Sequence, residues 1–204
     1  MLASRRWVQR WLASCGRAID SLVFPWECPV CGTMTGATPF CAPCRAALLD
    51  ASGEACARCA MPVGPFADRT GGCSECRGRS LGFDGAIALG PYRGPIRRLC
   101  LQLKHEQNAW MAPWIVDVLI EARSEVGRAP RDAWVVPVPL HWRRRWERGY
   151  NQADALARRL ARRLGLECSH SLRRVVWTPP WPAPAAPSGL GCCATPFRPD
   201  RPRA

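Results

Sequence analysis

Eight cysteines carry the clearest chemistry in this sequence. They form four Cys-x-x-Cys pairs, Cys28–Cys31, Cys41–Cys44, Cys56–Cys59 and Cys73–Cys76. Two intervening residues allow a tight turn to present both sulfurs to one ion at about 2.3 Å, and two such pairs complete a tetrahedral thiolate site. Gly32, directly after the second cysteine, suits the turned backbone of such a knuckle. Gaps of nine and thirteen residues separate the pairs within each half and suit short hairpins. Cys28, Cys31, Cys41 and Cys44 are therefore assigned to one Zn²⁺, and Cys56, Cys59, Cys73 and Cys76 to a second. An interleaved assignment satisfies the same spacing. Four protein thiolates leave no open position, so these ions are structural and not catalytic. The competing readings are disulfides and an iron–sulfur cluster, for which four thiolates also suffice.

The redox compartment decides against disulfides. Thirteen cysteines would suit a secreted scaffold, but the N-terminus carries Arg5, Arg6, Arg10 and Arg17 without the uninterrupted apolar run of a signal peptide. A cytoplasmic location is expected. No run of about 18 apolar residues occurs, so no transmembrane helix is expected. Cys15, Cys100, Cys168, Cys192 and Cys193 stand outside the pairs and read as small apolar residues, with no Cys/His arrangement around them.

A second chemistry is written in arginine. The segment from Leu140 to Gln152 contains Arg143, Arg144, Arg145 and Arg148, followed by Gly149, Tyr150, Asn151 and Gln152, immediately before a helical pattern. Helix N-termini offer free N–H groups and guanidinium forks match phosphate oxygens, so a phosphate or pyrophosphate site is the physical expectation. It is neither a Walker A motif nor a GxGxxG turn, and a solvated basic loop accounts equally well for the composition. Trp142 and Trp146 alternate with these arginines, a pattern that fits stacking on single-stranded nucleic acid or, more commonly, packing. The whole chain of 204 residues holds 29 Lys and Arg against 16 Asp and Glu, a net charge of +13, which favours an anionic partner.

These groups need elements to position them. Residues 1–24 place Leu2, Trp7, Trp11, Leu12, Ala18, Ile19 and Leu22 at roughly helical spacing, predicting an N-terminal amphipathic helix. Residues 25–80 are rich in Cys, Pro and Gly and too poor in aliphatic side chains to fold on burial alone, which is why metal must hold them. From Gly82 the pattern alternates: a strand over Gly82–Gly90, a helix over Pro95–Glu106, a longer helix over Trp110–Val126, and a buried strand over Ala133–Pro139. A basic loop over His141–Gln152 comes next. Ala153, Leu156, Ala157, Leu160, Ala161 and Leu164 then mark an amphipathic helix with Arg158, Arg159, Arg162 and Arg163 toward solvent. This alternation predicts an α/β unit with a parallel sheet and a ligand at the carboxyl ends of its strands.

The Cys-x-x-Cys pairs, Tyr92–Arg97 through Gln102–Lys104, Val136–Pro139 and Arg148–Ala153 together resemble the ComF family, a competence-associated group similar to amidophosphoribosyltransferases. The resemblance runs from about Leu22 to Pro180. It implies a double zinc ribbon (25–80) followed by a type I phosphoribosyltransferase-like domain (82–180), in which Arg148, Gly149, Tyr150, Asn151 and Gln152 match the segment holding the pyrophosphate of phosphoribosyl pyrophosphate. Lys104 matches the family's basic residue in the preceding helix. Arg143, Arg144 and Arg145 are assigned to polyanion binding on their charge.

The departure is equally specific. A type I phosphoribosyltransferase carries a later strand ending in two adjacent acids and a Thr/Gly-rich loop, and no adjacent acidic pair occurs here. After Thr178–Pro180 the chain turns proline-rich, and residues 181–204 are expected to be disordered. The sequence thus reads as a truncated or frameshifted member with an incomplete parallel-sheet domain and no turnover. Its expected partners are phosphoribosyl pyrophosphate or pyrophosphate, single-stranded DNA, or proteins of the competence machinery.

Overall fold

The computed structural model describes residues 26–36, 38–68, 71–177 and 197–199. The expected N-terminal helix over 1–24 lies outside them, as does the expected proline-rich tail apart from Phe197–Pro199. The chain forms two compact units, Met1–Gln102 with Glu121–Arg123, and Leu103–Ile120 with Ser124–Ala204.

In the first unit, β1 (Trp26–Glu27) pairs antiparallel with β2 (Met34–Gly36), and the first cysteine knuckle is the turn between them. The turn closes through Gly32 N–H to Cys28 O at 2.7 Å and Cys28 N–H to Thr33 O at 2.9 Å. Gly32 takes φ +78°, the left-handed conformation that L side chains resist. Helix α1 (Ala42–Asp50) starts at the third knuckle cysteine, Cys41, with proline in its first turn, and buries Leu48 completely. The second ribbon has little ladder: one bridge joins Ala55 to Pro62, and Cys56 N–H donates to Met61 O at 2.9 Å. Its core is Cys56, Cys73 and Cys76, with Cys59, Val63 and Leu81 packed against them. A core of that kind supplies little apolar area, so burial alone does not account for its order.

The strand expected over Gly82–Gly90 is corrected by the structure: these residues form bends and extended backbone without a ladder. A side chain takes the place of a neighbouring strand. Arg123 donates from Nε to Ala88 O at 2.9 Å, from Nη1 to Gly53 O at 2.9 Å, and from Nη2 to Ser52 O. Gly90 then presses against the carbonyl of Ala51, and a Cβ placed there would also lie 2.8 Å from Ile96 Cδ1. Backbone cannot yield as a flexible side chain can. Gly90→Ala is therefore expected to destabilise the first unit by about 1–3 kcal/mol, measured as a lower denaturation midpoint with zinc present. Helix α2 (Gly94–Gln102) follows, shorter than the expected Pro95–Glu106, and buries Ile96 and Leu99. Its Arg98 donates to Val30 O at 2.7 Å, tying the helix to the first knuckle.

In the second unit a 3₁₀ turn (Glu106–Met111) runs into α3 (Ala112–Ala122), and a second 3₁₀ turn covers Ser124–Arg128. The single helix expected over Trp110–Val126 is thus a shorter helix flanked by tighter turns, with Met111, Ala112, Val116 and Val118 buried. Strand β3 (Trp134–Val135) is parallel to β4 (Glu167–Cys168), and α4 (Trp142–Arg148) and α5 (Gln152–Leu164) lie between them in sequence. The apolar run Ala133–Pro139 contributes only those two residues to a ladder, because Pro137 and Pro139 have no N–H to donate.

Helix α5 is built as its period requires. Ala157 and Ala161 face inward, Asp154 occupies the first turn, Arg162 and Arg163 the last, and Gly165 at φ +68° ends it. Arg159 and Arg163, expected in open solvent, reach Asp117 of α3 at 2.6 and 3.1 Å. Strand β5 (Leu172–Arg174) pairs antiparallel with β6 (Phe197–Pro199), with Pro199 opposite Leu172 at the end of the ladder. Among the described residues the parallel sheet has two strands. The architecture is thus a zinc-ribbon region with a mixed helix and strand region, and no described helix is long and apolar enough to cross a membrane.

Candidate functional site

The eight knuckle thiols gather into two groups in sequential order, Cys28, Cys31, Cys41 and Cys44, then Cys56, Cys59, Cys73 and Cys76, the ligand atoms of each lying within 4.8 Å of one another. Cys31 and Cys41 sulfurs are 3.6 Å apart, Cys56 and Cys76 3.8 Å, and Cys59 and Cys73 3.5 Å. A tetrahedron of sulfurs around zinc at about 2.3 Å has edges of about 3.8 Å, so the sulfurs already stand at metal-bound spacing and far outside disulfide length. All eight are free thiols. The donor set fits two structural zinc ions.

Electrostatics points the same way. Thr33 side-chain and backbone hydrogen bonds hold the Cys31 thiol down at about 6, while burial and the neighbouring sulfurs push Cys44 up. Backbone groups of Cys59 and Arg58 likewise hold Cys56 at about 6. Without a cation, one thiol ionises and its neighbours resist; a divalent ion removes that conflict by binding all four as thiolates. Gly72 leaves room for this, since a Cβ there would sit 2.7 Å from the Cys76 sulfur.

The arginine segment is not a loop. Trp142–Arg148 is helix α4, capped by His141, whose Nδ1 accepts from Arg143 N–H at 3.4 Å, and ended by Gly149 at φ +74°. No residue between these caps breaks a helix, and Arg145 and Arg148 in the last turn suit its dipole. The residues after it have structural partners. Tyr150 OH donates to Leu103 O, and burial, aided by the Glu106 charge and opposed by that of Arg148, leaves its hydroxyl raised. Asn151 caps α5, accepting from Ala153 N–H at 3.1 Å and donating to Val138 O at 3.1 Å. Gln152 Oε1 is buried and meets no hydrogen-bond partner among the described residues. Removing the cap by Asn151→Ala is expected to cost about 1–2 kcal/mol, read from the unfolding midpoint.

Lys104 and Arg148 line one pocket, and Glu106 and Glu147 line it too. The Glu106 carboxylate fills the space where a Cβ on Gly149 would stand. The more basic concavity lies beside it, where Arg145, Arg158, Arg173 and Arg174 line one cleft with Tyr150 and Asn151. Arg173 and Arg174 were absent from the sequence reading; the signal is their adjacency on β5, just after the strand that ends the βαβ crossover. Trp142 and Trp146 are 65% and 85% exposed, and the Arg143 guanidinium lies 5.3 Å from the Trp142 ring centroid. Arg144 shares this helix. Cys168 does not stand alone, since its sulfur groups with Asp154 and His170.

Comparison with known proteins matches residues 19–77 to the double zinc ribbon domain. The chain is 28% identical to competence protein F of Haemophilus influenzae over 114 residues, 54% of this chain and 48% of that protein. It is 31% identical to DNA utilization protein YhgH of Salmonella typhi over 115 residues, with the same shares of each chain, and 31% identical to YhgH of Escherichia coli K12 over 94 residues, 44% of this chain and 41% of that one. The chain thus spans about half the length of the curated relatives it matches. No solved structure matches it. Tetracysteine clusters in a double zinc ribbon, joined to this likeness to competence protein F and YhgH over about half the chain, support a ComF-family assignment.

Proposed function

We propose that the chain serves in the uptake or use of DNA in the cytoplasm, with residues 25–80 as a zinc-held module and residues 82–180 as a phosphoribosyltransferase-like domain that binds anions without turnover. The observation that carries it is the cleft lined by Arg145, Arg158, Arg173 and Arg174 beside exposed Trp142. Four guanidiniums against one carboxylate, Asp154, make a phosphate-seeking surface. Trp142 and Trp146 add flat faces on which unpaired bases stack. The chain's likeness to competence protein F and YhgH supports DNA as the polyanion. Phosphoribosyl pyrophosphate or pyrophosphate is the small-molecule counterpart, held by Lys104 and by Arg148 to Gln152. Catalysis needs both ends of that substrate oriented together, and the acids that would hold the ribose hydroxyls are missing from the sequence.

Binding of a fluorescent oligothymidylate by the full chain tests the reading. Trp142→Ala with Trp146→Ala is expected to weaken it by about 1–3 kcal/mol for each stacked base, and phosphoribosyl pyrophosphate is expected to release no pyrophosphate. Absence of oligonucleotide binding at low salt would refute the DNA role, leaving the ribbons to dock proteins of the competence machinery. Steady pyrophosphate release would refute the claim of an incomplete site.

A further inference from the structure

We propose a third metal site, separate from the ribbons, in which Asp154, Cys168 and His170 bind a Zn²⁺ ion through one oxygen, one sulfur and one nitrogen. The three donor atoms lie within 4.8 Å of one another. Two features of the fold bring them together. Cys168 ends β4, and Ser169 N–H still donates to Val135 O at 3.1 Å, so the backbone stays extended and Cys168 and His170, two residues apart, project to the same side. Asp154 sits in the first turn of α5, which packs on β4.

The carboxylate is already arranged as a ligand. Its Oδ2 is fixed by Arg158, from Nε and Nη2 at 3.0 Å each, which leaves Oδ1 facing His170 Nε2 at 2.5 Å. Such an anchored second oxygen is the usual outer-shell support of a metal-binding carboxylate. Bound zinc would replace the hydrogen bond between Oδ1 and Nε2, taking the ring nitrogen as a neutral donor, with the Cys168 proton leaving to solvent as the thiolate binds. Mixed nitrogen, sulfur and oxygen donors suit zinc and not magnesium or calcium. Three protein ligands leave a fourth position. Asp154 and His170 both line the arginine cleft, so that position is open to water or to an anion oxygen there. This distinguishes the site from the closed ribbon clusters. The assignment does not depend on what the cleft binds.

The test is titration of Co²⁺ into the full chain loaded with zinc at the ribbons. A single cobalt thiolate charge-transfer band in the near ultraviolet, with the d–d bands of a four-coordinate ion, is expected. His170→Gln changes a half-exposed side chain and should weaken that binding by at least about tenfold, since even outer-shell partners are worth 10–100-fold. Cys168→Ser should abolish the charge-transfer band while both ribbon zincs remain by elemental analysis. No cobalt band in the unaltered chain would overturn the proposal. So would a band of equal strength in both variants, because cobalt would then be replacing ribbon zinc.

Discussion

Removing zinc with a strong chelator is expected to unfold residues 26–81 of the full chain, with two ions lost from the ribbons and amide protection lost with them. A structural zinc site supplies about 10–16 kcal/mol, against a total stability of about 5–15 kcal/mol for an ordinary domain. Nothing else in the ribbons approaches that, because the second ribbon's core is chiefly three sulfurs. Each cluster draws all four ligands from its own segment. Cys41→Ser should therefore release one ion and leave the other. Acid should act in the same sense. Protons compete with zinc for the thiolates, so ribbon stability should fall as pH is lowered, with metal released as the ligands protonate. Retained hydrogen-exchange protection over residues 26–81 after complete zinc removal would refute the reading, as would loss of both ions from Cys41→Ser.

Neutralising Arg143, Arg144, Arg145 and Arg148 together to glutamine is the change with the next largest expected effect. These four lie on one seven-residue helix. Each phosphate contact on a single strand contributes about 0.7 to the slope of log affinity against log salt, so losing four contacts should flatten that slope by about 2–3. Affinity at low salt should fall by several orders of magnitude and at high salt by much less. Arg148 faces the pocket with Glu106 and Glu147, so its share is the smallest and its single substitution the mildest. An unchanged slope in the fourfold variant would mean that α4 is solvated surface and that the remaining cleft arginines, Arg158, Arg173 and Arg174, carry whatever binding exists.

The metal chemistry was legible because it is local. A knuckle needs only two cysteines, two residues between them and a permissive glycine, all present at Cys28–Gly32. Helix α5 was legible for a related reason, since its period, its Asn151 cap and its Gly165 stop are all contiguous. What escaped depends on distant partners. The apolar pattern over Gly82–Gly90 is strand-like, yet the Ala88 carbonyl goes to the side chain of Arg123, more than thirty residues on. Helix α4 was hidden by composition: a run of like charges reads as a loop unless the caps at His141 and Gly149 are weighed first. The company of Cys168 needed the packing of α5 on β4, although Cys-x-His is a spacing that sequence alone displays.

The contiguity of the two ribbon clusters also governs the order in which the protein is made. By the time Cys44 has left the ribosome, the nascent chain holds every ligand of the first cluster, and by Cys76 every ligand of the second. Closing such short loops costs little chain entropy, so metal capture can precede synthesis of the second unit. The pairings β3 with β4 and β5 with β6 must wait for residues 168 and 199. A cell short of zinc during translation would therefore leave eight reactive thiols exposed on the nascent chain before any of the arginine cleft exists, and cysteine oxidation, not proteolysis of the finished protein, becomes the first hazard of scarcity.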